Sequence, residues 1–166
     1  MFWLRLFMQY MTSLILFQLF IYPESRLMKK HALLNAPLSH VIATMGHTDQ
    51  LVVGDAGLPI PAAPERIDLA VSQGVPRFMD VVRAITEEMQ IERVIMAHEF
   101  AEVSPALHIE LLAHLEHLAK EQDRTISFDY VSHDEFKQMT HLTRAVVRTG
   151  ECTPYANVIF VSGVVF

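Results

Sequence analysis

The chain has 166 residues and one cysteine, Cys152, and its formal net charge is −6 with the histidines neutral. That length suits one domain around one core, and an acidic balance lacks the basic footprint that nucleic acid or an anionic membrane requires. The lone cysteine excludes an internal disulfide and any multi-cysteine metal site, and it fits a reducing compartment such as the cytoplasm.

Taken in order, the chain opens on an apolar stretch. Met1 to Tyr22 is close in length to a membrane-spanning helix, but Arg5, Gln9 and Gln18 interrupt it. Ile21-Tyr22-Pro23-Glu24-Ser25 is a poor cleavage site for a secretory signal. At Met28 the composition changes, and Met28-Lys29-Lys30-His31 reads as the start of a soluble protein. Residues 1–27 have three readings: a membrane anchor, an uncleaved signal, or an over-extended gene start with Met28 as the initiator. The third is favoured, because nothing after Met28 looks secreted or membrane-bound. Residues 28–166 are expected to form the functional domain.

Asn35 is placed to cap a helix with Pro37 in its first turn. Leu38, Val41, Ile42 and Met45 keep helical spacing, and Gly46 stands at the C-terminal cap position. The helix delivers His47 into the polar turn Gly46-His47-Thr48-Asp49. Leu51-Val52-Val53 reads as a buried strand, with Asp55 where it ends. Ligands of open α/β sheets sit outside the carboxyl ends of strands, so Asp55 is a candidate substrate contact. An Asp there is also an ordinary turn former. His47 flanks the other end of the strand, and reaches Asp55 only with help from a neighbouring element or subunit.

Ile67–Val71 alternates as a strand. Pro76 is expected to open a helix whose apolar stripe is Phe78, Val81, Val82, Ile85 and Met89, with Met79 also in the core. Val94–Ala97 reads as a buried strand, followed by His98-Glu99, a candidate acid–base or metal pair without a partner in sequence. Ser104-Pro105 begins a long helix carrying Leu107, Leu111, Leu115 and Leu118. His108, His114 and His117 are expected on its solvated face. His114 and His117, spaced i, i+3, could hold a metal and with Glu110 make a metal hydrolase, but there is no His-Glu-x-x-His and no third ligand at a diagnostic spacing.

Ile126–Val131 alternates as a strand. Ser132 caps the next helix, with Asp134 and Glu135 in its first turn. His133 therefore falls at a strand's carboxyl end, in the same layer as Asp55. Ala145–Val147 and Val158–Val161 are the last strands. The loop Thr149–Asn157 lies between them, and its Tyr155 and Asn157 offer donors and acceptors suited to hydroxyl groups such as a sugar's. The alternation of elements gives an α/β domain, with a mixed or mostly parallel sheet between helices in three layers.

Gly46-His47-Thr48-Asp49, Asp55-Ala56-Gly57-Leu58-Pro59-Ile60-Pro61, Gln73-Gly74-Val75-Pro76 and Gly150-Glu151-Cys152-Thr153-Pro154-Tyr155-Ala156-Asn157 occur in one order across the domain. Together they resemble the RbsD-type sugar mutarotases, the D-ribose pyranase family, from Met28 through Phe166. The related fucose mutarotases share the Gly-His-x-Asp and Asp-Ala elements, whereas Thr48 and Leu58-Pro59-Ile60-Pro61 are more like the ribose branch. The resemblance implies an isomerase that interconverts the β-pyranose and β-furanose forms of D-ribose, with no cofactor and no metal. It implies His47 as catalytic acid, and Asp55, His133, Tyr155, Ala156 and Asn157 as sugar-binding positions. It further implies a decamer of two pentameric rings, with the site between subunits. Two alternatives remain: a fucose-type mutarotase, and a non-catalytic sugar-binding module associated with ribose transport.

Overall fold

The computed structural model describes Lys29 and residues 32–166. The apolar stretch 1–27, with its three readings, lies outside the described residues. Among the described residues, no helix is long and apolar enough to cross a membrane.

Asn35 caps the first helix of the described residues. Its Oδ1 accepts from the Leu38 N–H at 2.9 Å, satisfying one of the free donors of helix α1, Ala36–Thr44. Pro37 lies in the first turn, where its missing N–H costs nothing. The expected glycine cap is absent. The chain leaves α1 extended at Met45, and Gly46 does not take the left-handed conformation. Instead the Gly46 N–H donates to the Asp49 carboxylate at 2.8 Å, so a side chain, not a glycine, closes this turn.

The strands are β1 (Gln50–Gly54), β2 (Glu65–Asp68), β3 (Ile91–Ala97), β4 (Ser127–Val131), β5 (Ala145–Arg148) and β6 (Val158–Ser162). Among them lie α2 (Phe78–Thr86), α3 (His98–Val103), α4 (Pro105–Glu121) and α5 (His133–Met139). β2 begins and ends earlier than its alternation predicts. The Asp68 carboxylate accepts from the Ala70 N–H, and Val71 bonds back to Val75, so the chain turns where the pattern continued. Helix α2 starts at Phe78 with Arg77 as its extended N-cap, two residues after Pro76. The short helix α3, directly after β3, was not expected from the sequence.

The sheet is mixed and six-stranded, in the order β2-β5-β1-β6-β3-β4. β1, β2 and β5 run parallel, as do β3 and β4, while β6 runs antiparallel between β1 and β3. This one reversal positions the site. It carries the loop before β6 to the carboxyl ends of β1 and β3.

Alternate residues of β1 feed opposite faces. Leu51 and Val53 join a large core with Leu38, Phe78, Val82, Ile85, Leu111 and Leu115, under α1, α2 and α4. Val52 joins a smaller core with Leu58, Ile95, Phe136 and Ile159, under α5 and the loop after β1. Phe78 and Phe136 are fully buried, each worth about 1.5–3 kcal/mol.

Helix α4 leaves His117 exposed, as expected, but corrects the expectation of a solvated face for His108 and His114. His108 belongs by spacing to the stripe of Leu111, Leu115 and Leu118, and it is 8% exposed with Nε2 2.8 Å from the Tyr130 hydroxyl. His114 is half-buried with Nε2 2.8 Å from Thr86 Oγ1. The helix is covered on two sides, so its buried arc is wider than the leucines alone mark.

Candidate active site

Asp55 follows β1 at its carboxyl end, as the sequence predicts. Two residues fix it. The Asn157 carboxamide accepts from the Asp55 N–H at 2.9 Å and donates to Asp55 Oδ2 at 3.0 Å. The Gly57 N–H donates to Asp55 Oδ1 at 2.8 Å. Asn157 is 1% exposed, so its amide is committed to Asp55, with one N–H to spare. Gly54 makes the approach possible. A Cβ there would lie 2.6 Å from Leu58 Cδ2 and 2.9 Å from Asn157 Oδ1.

Tyr155 and Ala156 lie on the same loop. Ala156 is buried in the larger core. Tyr155 adopts a left-handed backbone, φ 61°, which costs a bulky residue about 1–3 kcal/mol and points to an imposed local geometry. Its ring meets His133 edge to face, with centroids 4.9 Å apart.

His133 opens α5 at the end of β4. Ser132 caps this helix reciprocally with Glu135, as the sequence predicts. The His133 N–H donates to both oxygens of Glu99, at 3.2 and 3.1 Å. This supplies the partner that His98-Glu99 lacked in sequence. Backbone donors, first its own N–H and then that of His133, hold the Glu99 carboxyl below its ordinary value. The His133 Nδ1 is buried without a hydrogen-bond partner. Buried polar atoms are nearly always paired, so this nitrogen stands out among the described residues.

The carboxyl end thus brings together Asp55, Asn157, Tyr155 and His133. It does not bring His47 to them. His47 precedes the amino end of β1, and the strand between it and Asp55 spans about 16 Å at the usual rise per residue. There the Thr48 N–H donates to the Ser162 carbonyl. Thr48 is also left-handed, φ 68°, an unfavourable state for a β-branched residue. His47 Nε2 lies 2.8 Å from Glu92 Oε2, a contact between residues 45 apart that no local pattern announces. Both side chains remain largely exposed, 54% and 40%.

The Gly150-to-Asn157 loop is anchored by Glu151. Its carboxylate accepts from the Phe78 N–H, the Cys152 and Thr153 N–H groups and the Thr153 hydroxyl. Burial raises its pKa, but these bonds outweigh burial and hold it below the ordinary range. Gly150 packs against the Gln73-Gly74-Val75-Pro76 turn, where a Cβ would sit 2.3 Å from the Val75 carbonyl oxygen. Ser104, expected only as a helix cap, donates its hydroxyl to the Pro154 carbonyl at 2.7 Å.

The alternative metal site does not assemble. Glu110 pairs with Arg83 at 2.6 Å and His114 bonds Thr86. Among the described residues, no three His, Cys, Asp or Glu side chains converge in a metal-binding group.

Known proteins resemble this chain in sequence and fold. Residues 28–165 match the model of the RbsD / FucU transport protein family. The D-ribose pyranase of Shewanella halifaxensis is 58% identical over 139 residues, which cover 84% of this chain and all of that protein. The D-ribose pyranase of Photobacterium profundum is 58% identical over the same shares. The structure of Bacillus subtilis RbsD complexed with D-ribose superposes with a TM-score of 0.72 at 44% identity, covering 84% of this chain and all of that one. A fucose mutarotase from Streptococcus pneumoniae shares the fold at 21% identity, TM-score 0.64. With the family model and these relatives spanning the domain, the chain belongs to the RbsD / FucU family.

Proposed function

We propose that the chain is an isomerase that interconverts the β-pyranose and β-furanose forms of D-ribose in ribose utilisation. The D-ribose pyranases at 58% identity and the ribose complex of the Bacillus subtilis relative support the substrate. The observation that carries the reading to these residues is the buried, unpaired His133 Nδ1 beside Tyr155, on the same loop as the Asn157 that braces Asp55. A sugar hydroxyl would satisfy that nitrogen.

Ring opening breaks the C1–O5 bond. O5 gains a proton, the O1 hydroxyl loses one, and C1 becomes a carbonyl. Reclosure adds O4 to C1, with the O4 proton removed and one returned to O1. No electrons are exchanged. His47 is the proton donor to the ring oxygen, a role suited to an imidazole near neutrality. Asp55 orients the sugar, and His133 with the Tyr155-Ala156-Asn157 segment holds its hydroxyls.

One chain keeps His47 apart from the other groups, so the site is completed between copies. His47 of one subunit faces the carboxyl end of a neighbour, within a decamer of two five-membered rings. Residues 28–166 are the catalytic domain and need no metal or cofactor. The enzyme works in the cytoplasm, where the single free Cys152 is at home.

Saturation-transfer NMR between ribose forms tests the reading. His47→Ala should slow exchange by about 10²–10⁴-fold, the contribution of one well-placed acid, while the oligomer survives. Unchanged exchange would remove His47 from the mechanism. A non-catalytic binder would shift ribose resonances without speeding exchange.

A further inference from the structure

The contact between His47 and Glu92 has a construction behind it. Glu92 is the second residue of β3, and the pairing of β3 with β6 slips between Ile91 and Arg93. Such a bulge re-aims a side chain that would otherwise follow the strict alternation of the strand. The same end of β6 holds the other half. Ser162, paired with Ile91, accepts the Thr48 N–H and donates its own N–H to Asp49. Beyond it Gly163 leaves room for Glu92, since a Cβ there would stand 3.3 Å from the Glu92 Cβ. The bulge and the left-handed turn at Thr48 thus converge on one residue pair, 2.8 Å apart.

We propose that Glu92 is the positioning residue for His47: it holds the imidazole proton on Nε2 and leaves Nδ1 as the nitrogen that trades protons with the sugar. The inference rests on the catalytic role proposed for His47. An ionised carboxylate only accepts, so the Nε2 it faces must carry hydrogen. A neutral imidazole has one such N–H, which leaves Nδ1 bare. In the imidazolium form, Nδ1–H delivers its proton to O5 as the C1–O5 bond breaks. The bare Nδ1 then takes the O1 proton as the C1 carbonyl forms, so the ring nitrogen ends as it began. O1 and O5 share C1, which puts both within reach of one nitrogen. Glu92 touches no sugar atom. It fixes the tautomer and faces the imidazolium with a negative charge.

Protein labelled with ¹⁵N-histidine gives a readout apart from activity. In the wild type, the His47 resonances should report a protonated Nε2 and a bare Nδ1. Glu92→Ala should release the ring to a mixture of tautomers and lower kcat by about 10- to 100-fold, with KM within about twofold, as loss of an orienting partner behind an imidazole does. Glu92→Gln keeps an accepting oxygen, so it should keep the tautomer and recover part of the rate. A Glu92→Ala protein with wild-type tautomer and rate would overturn the proposal. So would a Glu92→Gln protein no better than Glu92→Ala in both. If His47→Ala itself left exchange intact, the reading of His47 would fail first. That failure is recognisable, because Glu92→Ala would then change the ring resonances and leave the rate alone.

Discussion

Asn157 is 1% exposed and makes two hydrogen bonds to Asp55, whereas His47, near the other end of the same strand, is 54% exposed and is held through one nitrogen. The carboxyl end of the sheet is braced before any ligand arrives, with Glu99 under His133 and Glu151 under the loop. The amino end offers an exposed imidazole beside a turn whose Thr48 is left-handed. Binding groups profit from being fixed in advance, because their ordering is then complete before the sugar binds. A group that serves a neighbouring subunit has to stand out from its own. The contrast between the two ends is therefore what the proposed site, divided between copies, would require.

The sharpest way to break this contrast is to separate its halves. His47→Ala and His133→Ala chains should each be inactive alone. Unfolded together in equal amounts and reassembled, they should recover about a quarter of wild-type exchange per site, since a head-to-tail interface pairs an intact donor with an intact acceptor that often by chance. No recovery in a well-assembled mixture would place all the catalytic groups within one chain. The folded coordinates of a single chain would then need a large rearrangement to bring His47 to Asp55.

Next in size is Gly150. Alanine there drives a Cβ against the backbone of the Ser72–Val75 turn, 2.3 Å from one carbonyl oxygen and 2.5 Å from another. Neither partner is a flexible side chain, so stability should fall by about 3 kcal/mol, the upper end of overpacking. Thermal unfolding measures it. A loss below about 1 kcal/mol would show that the braced end gives way easily, and the contrast would weaken.

Asn157→Ala should cost about 1–3 kcal/mol, because a half-buried Asp55 loses two bonds to a side chain that is itself buried. Its functional signature is a raised KM for ribose, with the His47 turn intact. A KM at the wild-type value would mean that Asp55 does not depend on Asn157 for its position.

How much of this was legible in the chain differs by residue. Asp55 and His133 were, because each follows an apolar run and precedes a turn or cap, and the sheet confirms that both stand at carboxyl ends. The strands and the mixed sheet were legible for the same reason: β-branched runs bounded by turn residues leave few options. Asn35, Pro37 and Ser132 marked helix starts correctly. Contacts that depend on strand order were not legible. Glu99 finds His133 only because β3 and β4 are neighbours, and Glu92 finds His47 only because β6 returns between β1 and β3. His108 misled because grouping it with His114 and His117 sets it opposite the leucine stripe, whereas its spacing from Leu111 and Leu115 puts it on that stripe, across from Tyr130. Gly46 misled through a rule of frequency, because Asp49 closes the turn that glycine usually closes.

The smallest expected effect concerns acid. The folded Glu99 and Glu151 carboxyls both lie below their unfolded value of 4.5, Glu99 through backbone donors and Glu151 through donors that outweigh its burial. A group depressed in this way binds its proton more tightly unfolded, so its stabilisation is complete above the unfolded value and drains away as the pH falls through the folded one. Between about pH 5 and pH 3 the wild type should therefore lose more in Tm than Glu151→Gln, whose amide cannot take up a proton there. At neutral pH the order reverses in absolute terms, with Glu151→Gln the less stable: its one amide oxygen can keep the Cys152 and Thr153 donors, which share Oε1, but the amide nitrogen then faces the Phe78 N–H and cannot accept from it. Parallel slopes for the two proteins would show that the loop is not held by this carboxylate, and that the bracing of the carboxyl end comes from Asn157 and Gly150 instead.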